Sequence, residues 1–74
     1  MEGELQRRLG QNLRAHRHAL GLSQEQLAER LGYHRTYIGG MEQGLRNLSL
    51  RSLERLAADL ELDPLELLRE VSEG

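Results

Sequence analysis

The sequence predicts an all-α fold, a compact bundle of five short helices in a single domain, residues 1–74. Leucine dominates the apolar residues, and the chain has one proline and neither phenylalanine nor tryptophan, which is a helical composition. The apolar side chains recur at i, i+3 and i+4 rather than at every second position. Capping residues divide the apolar segments, with N-caps at Ser23, Ser49 and Asp63 and terminating glycines at Gly21, Gly32 and Gly44.

The first helix is predicted over residues 2–20, and Gly21 follows its end. Its first few residues are expected to fray. Four leucines at helical spacing are expected to form its buried stripe: Leu5, Leu9, Leu13 and Leu20.

The second helix is predicted to begin after Ser23, and Gln26 three residues later would complete a capping box. Ala28 is small, as expected at a place where two helices cross. Gly32 is expected to end the helix, because the tight turn that follows needs a positive φ.

The third helix is predicted to begin after His34 and to end at Gly44. Ile38 and Met41 would form its inner face. Two short helices that meet at a glycine and pack through small residues form a helix-turn-helix, which here spans residues 24–43.

A fourth and a fifth helix complete the predicted bundle. Ser49 would cap the fourth helix, whose inward stripe is Leu50, Leu53, Leu56, Ala57 and Leu60. Asp63 would cap the fifth helix, with Pro64 at its first position and Glu66 completing a second capping box.

The fifth helix carries more apolar side chains than one face can bury in so small a core. Because contiguous exposed apolar surface usually marks an interface, we expect a homodimer formed through about residues 48–71. The alternative is that all of these side chains pack inside the monomer. The residues expected at the dimer interface are Leu62, Leu65, Leu67, Leu68 and Val71.

The segment 24–43 has four residues in a fixed register, at its first, fifth, ninth and fifteenth positions: Gln24, Ala28, Gly32 and Ile38. Leu-Ser-Gln opens the segment and Glu-Gln-Gly closes it. This pattern resembles the Cro/repressor-type (XRE) helix-turn-helix family over roughly residues 9–68. The resemblance implies a lambda-repressor-like five-helix DNA-binding domain. Residues 35–50, RTYIGGMEQGLRNLSL, closely resemble controller proteins of restriction–modification systems.

The resemblance also implies an ion pair between Arg17 and Glu42. In the family, an arginine at the place of Arg17 pairs with the glutamate that closes the recognition helix. Such a pair would join the first helix to the far end of the third. The alternative is that both charges are solvated.

In a helix-turn-helix, the first turn of the recognition helix lies against base edges in the major groove. The expected base contacts are therefore Arg35, Thr36 and Tyr37. Arg35 could bond guanine O6 and N7 together, a contact that contributes roughly 1–3 kcal/mol of discrimination. Tyr37 could contact DNA through its hydroxyl or only pack its ring. Gly39 and Gly40 follow one turn later, and either allow a close approach to DNA or are merely tolerated.

Phosphate contacts are expected from residues around the motif. The N-terminus of the second helix offers backbone N–H groups at Ser23 and Gln24. Arg46 and Asn47 flank the other side of the recognition helix, and Arg14 is a weaker candidate. Such contacts set register and affinity rather than sequence preference.

The charge of the chain is unevenly distributed. The formal net charge is −2, yet residues 1–47 hold seven Arg against five Glu, and residues 48–74 hold three Arg against seven acidic residues. The half with the motif is therefore mildly basic, which is weak support for binding DNA. No apolar run is long enough to span a membrane, and no signal peptide is present. A cytoplasmic bacterial or phage protein, associated with the nucleoid when bound, is expected.

Other chemistries have little support. Cysteine is absent, which excludes disulfides and thiolate zinc sites. His16 and His18 face different sides of a helix, so they are poorly placed to share a metal. The acidic residues between 59 and 63 lack the glycine and closing glutamate of a calcium loop. We expect no enzyme activity, cofactor, metal or small-molecule ligand.

The sequence therefore predicts a sequence-specific regulator of transcription that binds double-stranded DNA as a homodimer. The dimer would present two recognition helices about 34 Å apart to a roughly palindromic operator. An autoregulatory controller of a restriction–modification system is one such regulator, and a phage-type or chromosomal repressor is another. The alternative from a different class is an antitoxin or adaptor whose fifth helix binds a protein. Salt dependence separates the two classes, because DNA binding weakens steeply with salt.

Overall fold

The computed structural model describes residues 3–71, and across them the chain forms five helices: α1 (Glu4–Ala19), α2 (Gln24–Leu31), α3 (Arg35–Glu42), α4 (Leu50–Asp59) and α5 (Pro64–Leu68). No strand occurs between residues 3 and 71, so the predicted all-α fold is confirmed. Residues 1, 2 and 72–74 of the predicted domain lie outside the described residues, as does residue 2 of the predicted first helix.

One apolar core holds the five helices together. Helix α1 packs against α3 and α5, α2 packs against α3, and α4 packs against α5. Fully burying a large aliphatic side chain contributes roughly 1.5–3 kcal/mol. Every helix supplies at least one side chain to the core, which consists of Leu9, Leu13, Leu27, Ala28, Ile38, Met41, Leu53, Leu56, Ala57, Leu60 and Leu67.

The predicted stripe of α1 is wrong at both of its ends. Leu5 and Leu20 are exposed, whereas Leu9 and Leu13 are buried. Leu5 lies in the first turn of α1, and Leu20 is the C-cap residue, where the chain leaves the helix. Polar residues complete the buried face of α1 instead, since Asn12 and Arg17 are both buried.

Gly10 sets the distance between α1 and the end of α3. A Cβ atom at this position would lie 2.5 Å from the carbonyl oxygen of Met41 and 2.6 Å from that of Glu42. Real Cβ atoms essentially never approach so closely, so the two backbones meet at a point where only glycine fits. The crossing fixes α3 against α1.

Both helices of the motif have the predicted boundaries. The Ser23 side chain accepts the Gln26 N–H, and the Gln26 side chain accepts the Ser23 N–H, so the predicted capping box is confirmed. Gly32 has φ 76°, as the turn requires. The Tyr33 N–H donates to the Ala28 carbonyl at 2.8 Å, which closes the turn between α2 and α3.

Helices α4 and α5 differ from their predicted details. Leu50, the first residue of α4, is 79% exposed and is not part of the inward stripe. It follows the cap directly, on the outer side of the first turn. In α5 the Asp63 side chain accepts the Leu65 N–H, while the Glu66 N–H donates to the Asp63 carbonyl. The predicted second capping box is therefore wrong.

Helix α5 is only five residues long and is tied to α1 through a buried amide. Asn12 Nδ2 donates to the carbonyl oxygens of Leu67 and Arg69, each at 3.0 Å. These bonds satisfy carbonyls at the end of α5 that have no partner within the helix. Val71 lies beyond the end of α5. None of the helices described between residues 3 and 71 is long and apolar enough to cross a membrane.

Candidate nucleic-acid interface

The first turn of α3 is exposed and is capped by a histidine. His34 Nδ1 accepts the Thr36 backbone N–H at 3.2 Å and lies 2.8 Å from Thr36 Oγ1. The cap holds Thr36 in place beside Arg35, and both side chains are exposed. Sequence reasoning located the start of α3 but gave the His34 ring no role. A possible signal was the position of His34, with a polar ring directly before the helix.

The far end of α3 is held by a buried ion pair. Arg17 Nε donates to Glu42 Oε2 at 2.7 Å, and Arg17 Nη2 donates to Glu42 Oε1 at 3.0 Å. The two side chains are 10% and 3% exposed, so neither charge is solvated. Arg17 Nη1 also donates to the Leu22 carbonyl, and Gln24 Nε2 donates to Glu42. This ion-pair cluster joins α1, α2 and α3.

The charge states in the cluster follow from these contacts. Burial alone would raise the pKa of the Glu42 carboxyl, but the hydrogen bonds from Arg17 and Gln24 outweigh it and hold that pKa below its ordinary value. Arg14, exposed on α1, adds a smaller electrostatic effect in the same direction. The hydrogen bond to Glu42 raises the pKa of Arg17. Glu42 is therefore a carboxylate at neutral pH, and its charge is neutralised by Arg17.

A concave surface of mixed polar and apolar character lies along the exposed side of α3, and we call it the α3 hollow. Four residues predicted to contact DNA meet there: Gln24, Arg35, Thr36 and Arg46. Gln43 and Leu45 also line the hollow, and sequence reasoning missed both. Gln43 follows Thr36 by seven residues, two helical turns along the same face, so its position was readable in the sequence. Gly39 and Gly40 complete the lining of the hollow.

Tyr37 lies beside the α3 hollow and contacts Arg46. The Arg46 guanidinium carbon is 5.2 Å from the centroid of the Tyr37 ring. The Tyr33 ring meets Tyr37 edge-on, with centroids 5.3 Å apart and an interplanar angle of 81°. Such a cation–π contact contributes about 0.5–1 kcal/mol at an exposed site. On its other side, Tyr37 faces Arg51, Ser52 and Arg55, which sequence reasoning did not consider.

The remaining phosphate candidates are more dispersed. In the capping box the Ser23 N–H donates to the Gln26 side chain, so it is not available to a phosphate, contrary to expectation. The backbone N–H groups available at this helix start are those of Gln24 and Glu25, the first two residues of α2. Asn47 lines a different hollow, where Gln6 Nε2 donates to its side-chain oxygen at 3.5 Å. Arg14 and Ser23 line neither hollow.

The predicted dimer residues fall into two groups. Leu65 is 72% exposed, and Leu62, Leu68 and Val71 are half-buried. Leu67 is 1% exposed, so it is a core residue of the monomer and cannot lie at an interface while the core is intact.

The α3 hollow is positively charged, because two arginines and no carboxylate are among the described residues that line it. Among the described residues, the carboxylates that form ion pairs are Glu4, Glu42 and Glu66, and none of them pairs with Arg35 or Arg46. Two arginines with unused N–H groups are suited to phosphate and guanine acceptors. Across residues 3–71, no group of three His, Asp or Glu side chains could hold a metal ion.

Comparison with known proteins agrees with this geometry. Residues 8–70 match a family described as a helix-turn-helix domain. The control protein C.SmaI of Serratia marcescens is 52% identical over 52 residues, which cover 70% of this chain and 62% of that protein. The match thus spans less than two-thirds of the length of this relative.

Solved structures of similar proteins extend the comparison. The restriction–modification controller C.AhdI of Aeromonas hydrophila superposes with a TM-score of 0.71 at 48% identity, covering 84% of this chain and 94% of the other. The controller C.Esp1396I, solved as a tetramer in complex with its natural 35-base-pair operator, gives a TM-score of 0.70 at 32% identity, covering 88% of this chain and 96% of the other.

Proposed function

This chain belongs to the helix-turn-helix domain family, and on that premise we propose that it is a sequence-specific regulator of transcription that binds double-stranded DNA and has no catalytic role. One observation carries the proposal: the capped first turn of α3 presents Arg35 and Thr36 at the edge of a positively charged hollow. A helix start of this kind fits the major groove, where side chains of the first turn reach base edges.

The residues of the α3 hollow divide by the DNA groups they suit. Arg35 bonds guanine through O6 and N7, and Thr36 offers its methyl group to thymine or its hydroxyl oxygen to a base donor. Arg46 reaches bases or phosphate from the loop after α3. The Gln24 N–H binds a phosphate at the positive end of α2. The Tyr37 hydroxyl contacts a base edge or a phosphate, and Asn47, Arg14 and the Ser23 side chain contact phosphates of the DNA backbone.

We propose further that the regulator is a restriction–modification controller that acts on DNA upstream of its own gene. Its similarity to C.SmaI and C.AhdI supports this reading, and the complex of C.Esp1396I with its operator supports DNA as the partner. The protein needs no metal, cofactor or small-molecule ligand for this role. It acts in the bacterial cytoplasm, at the nucleoid.

The regulator acts as a homodimer on a roughly palindromic site. The dimer surface lies within about residues 48–71 of the single domain, with Leu65 at its exposed centre and Leu62, Leu68 and Val71 around it. Twofold symmetry would place the recognition helices about 34 Å apart, one turn of DNA.

Fluorescence anisotropy with labelled duplexes tests the proposal. The duplex from directly upstream of the gene is compared with a scrambled duplex of equal composition, across 50–200 mM salt. We expect preference for the upstream duplex and a fall in affinity on the order of 10³-fold across the series, as for a protein with several phosphate contacts. Arg35→Ala should abolish the preference. Arg30→Ala is the matched control, because Arg30 is exposed on α2 but does not line the α3 hollow.

A protein-interaction module is the second candidate function. The exposure of Leu65, together with a net charge of −2, favours it. Equal, weak binding to both duplexes would reject the proposal that the protein regulates its own gene, and would favour a protein partner at α5.

A further inference from the structure

The two adjacent glycines of α3 have different surroundings. A Cβ atom at Gly39 would lie 3.6 Å from Gln24 Oε1, an ordinary contact. A Cβ atom at Gly40 would lie 2.9 Å from Arg46 Nε, which is too short, and 3.2 Å from Arg46 Cγ, which is a tight contact. The Arg46 side chain therefore occupies the space that any other residue at position 40 would fill.

The contact with Gly40 and the contact with Tyr37 belong to one arrangement. Tyr37 and Gly40 are three residues apart, so they lie on the same face of α3, one turn from each other. The Arg46 stem crosses the helix at Gly40, and its guanidinium rests over the Tyr37 ring. The Leu45 N–H donates to the Gly40 carbonyl at 2.9 Å, which holds the start of the loop at the same point.

A glycine inside a helix is unfavourable relative to alanine, so its presence needs a reason. At Gly39 the structure offers none within the protein, because a methyl group fits there. At Gly40 the reason is the space that the Arg46 side chain occupies against Gly40 and the Tyr37 ring, which we call the Arg46 seat. Tyr33 packs edge-on against Tyr37 and so supports the ring that Arg46 contacts.

We propose that Gly40 is a positioning residue that holds Arg46 against the recognition helix, so that Arg46 is already ordered before DNA binds. The inference rests on the proposed DNA-binding function. A side chain held in its bound arrangement loses less conformational freedom on binding, which increases affinity. Any larger residue at position 40 displaces Arg46 without unfolding the domain, because the clash involves a flexible side chain rather than backbone.

The first test uses the free protein and needs no DNA. The Tyr37 ring should shift the NMR signals of the Arg46 side-chain methylene protons upfield. Gly40→Ala should remove this shift, and Gly39→Ala, the matched control in the same helix, should leave it in place. Tyr37→Leu gives the unshifted reference. An unchanged upfield shift in Gly40→Ala would show that Gly40 does not position Arg46, and would overturn the proposal.

The second test is a double-mutant cycle on affinity for the upstream duplex. Gly40→Ala should weaken binding about tenfold, a loss within the range that one arginine–base contact contributes. In the Arg46→Ala background, Gly40→Ala should cause no further loss of affinity, because there is no longer an Arg46 side chain for it to displace. The effect of Gly39→Ala should instead be the same with and without Arg46. Equal losses from Gly40→Ala in both backgrounds would mean that the methyl group obstructs DNA directly, and would overturn the inference.

The two proposals fail in different ways. If the wild-type protein shows no salt-sensitive preference for the upstream duplex, the proposed function fails, and with it the role of the seat in DNA binding. If Arg46→Ala weakens binding while Gly40→Ala does not, the proposed function stands and the inference is wrong. Circular dichroism checks the fold, and Gly40→Ala should be at least as stable as the wild-type protein.

Discussion

Removing the charge of Arg17 should be among the most destabilising single changes in this domain. Arg17→Met keeps an apolar stem but leaves the Glu42 carboxylate, which is 3% exposed, with a single side-chain donor, Gln24. Removing one partner of a buried pair typically costs about 3–5 kcal/mol. A chain of 74 residues has a total stability of roughly 4–11 kcal/mol. The variant should therefore lose a large part of its stability.

Urea denaturation followed by circular dichroism at 222 nm measures the loss. Replacing both partners, Arg17→Met with Glu42→Leu, should recover much of it, because no buried charge is then left without a partner. Glu42→Gln should cost less, about 1.5–3 kcal/mol, since the amide keeps part of the hydrogen bonding. A loss below about 1 kcal/mol for Arg17→Met would refute the reasoning, because an effect that small is typical of solvent-exposed ion pairs.

The remaining predictions concern acid stability, packing and assembly. The Glu42 pKa is lower in the folded protein than the unfolded value of 4.5, so its stabilisation is present above that value and is lost as pH falls through the folded pKa. Urea midpoints between pH 6 and 3 should therefore fall less in Glu42→Gln than in wild type or in Glu29→Gln, an exposed control on α2. Gly10→Ala should lower the melting temperature by roughly 4–16 °C, since overpacking of about 2–3 kcal/mol against backbone exceeds the gain in helix propensity of about 1 kcal/mol, whereas Gly39→Ala should not lower it. Asn12→Leu should cost about 1–3 kcal/mol in urea, because two carbonyls lose their donor, and equal stability would contradict that role. Leu65→Glu should convert dimers to monomers in sedimentation without changing helicity, and an unchanged mass would reject Leu65 as an interface residue.

The helices and their starts could be predicted from the sequence because the signals are local. Ser23 with Gln26, and Gly32 after the last turn of α2, act within a few residues of themselves. The second capping box failed although its pattern was present. The Asp63 side chain accepts the nearer Leu65 N–H, and the Glu66 N–H donates to the backbone carbonyl of Asp63 instead.

Features that depend on how helices cross could not be predicted from spacing. Gly10 lies in an ordinary helical segment, and only the approach of α3 makes it necessary. Leu5 and Leu50 have the right periodicity but lie in first turns that no neighbour covers.

The candidate site shows the same division. The motif predicted the first turn of α3 as part of the site. The α3 hollow could not be predicted, because its shape depends on the path of the loop after α3, which contributes Leu45 and Arg46. The Arg46–Gly40 contact brings together residues six positions apart, across a helix end that the sequence marks but whose direction it leaves open.

The most direct test of base reading by α3 replaces a single atom of the DNA. Guanines in the bound half-sites are changed to 7-deazaguanine, which lacks the N7 acceptor, and affinity is measured for wild type and Arg35→Ala. If Arg35 bonds O6 and N7, the substitution should weaken wild-type binding about tenfold more than it weakens binding of the variant. Equal losses in both proteins, or none in either, would contradict base reading through Arg35.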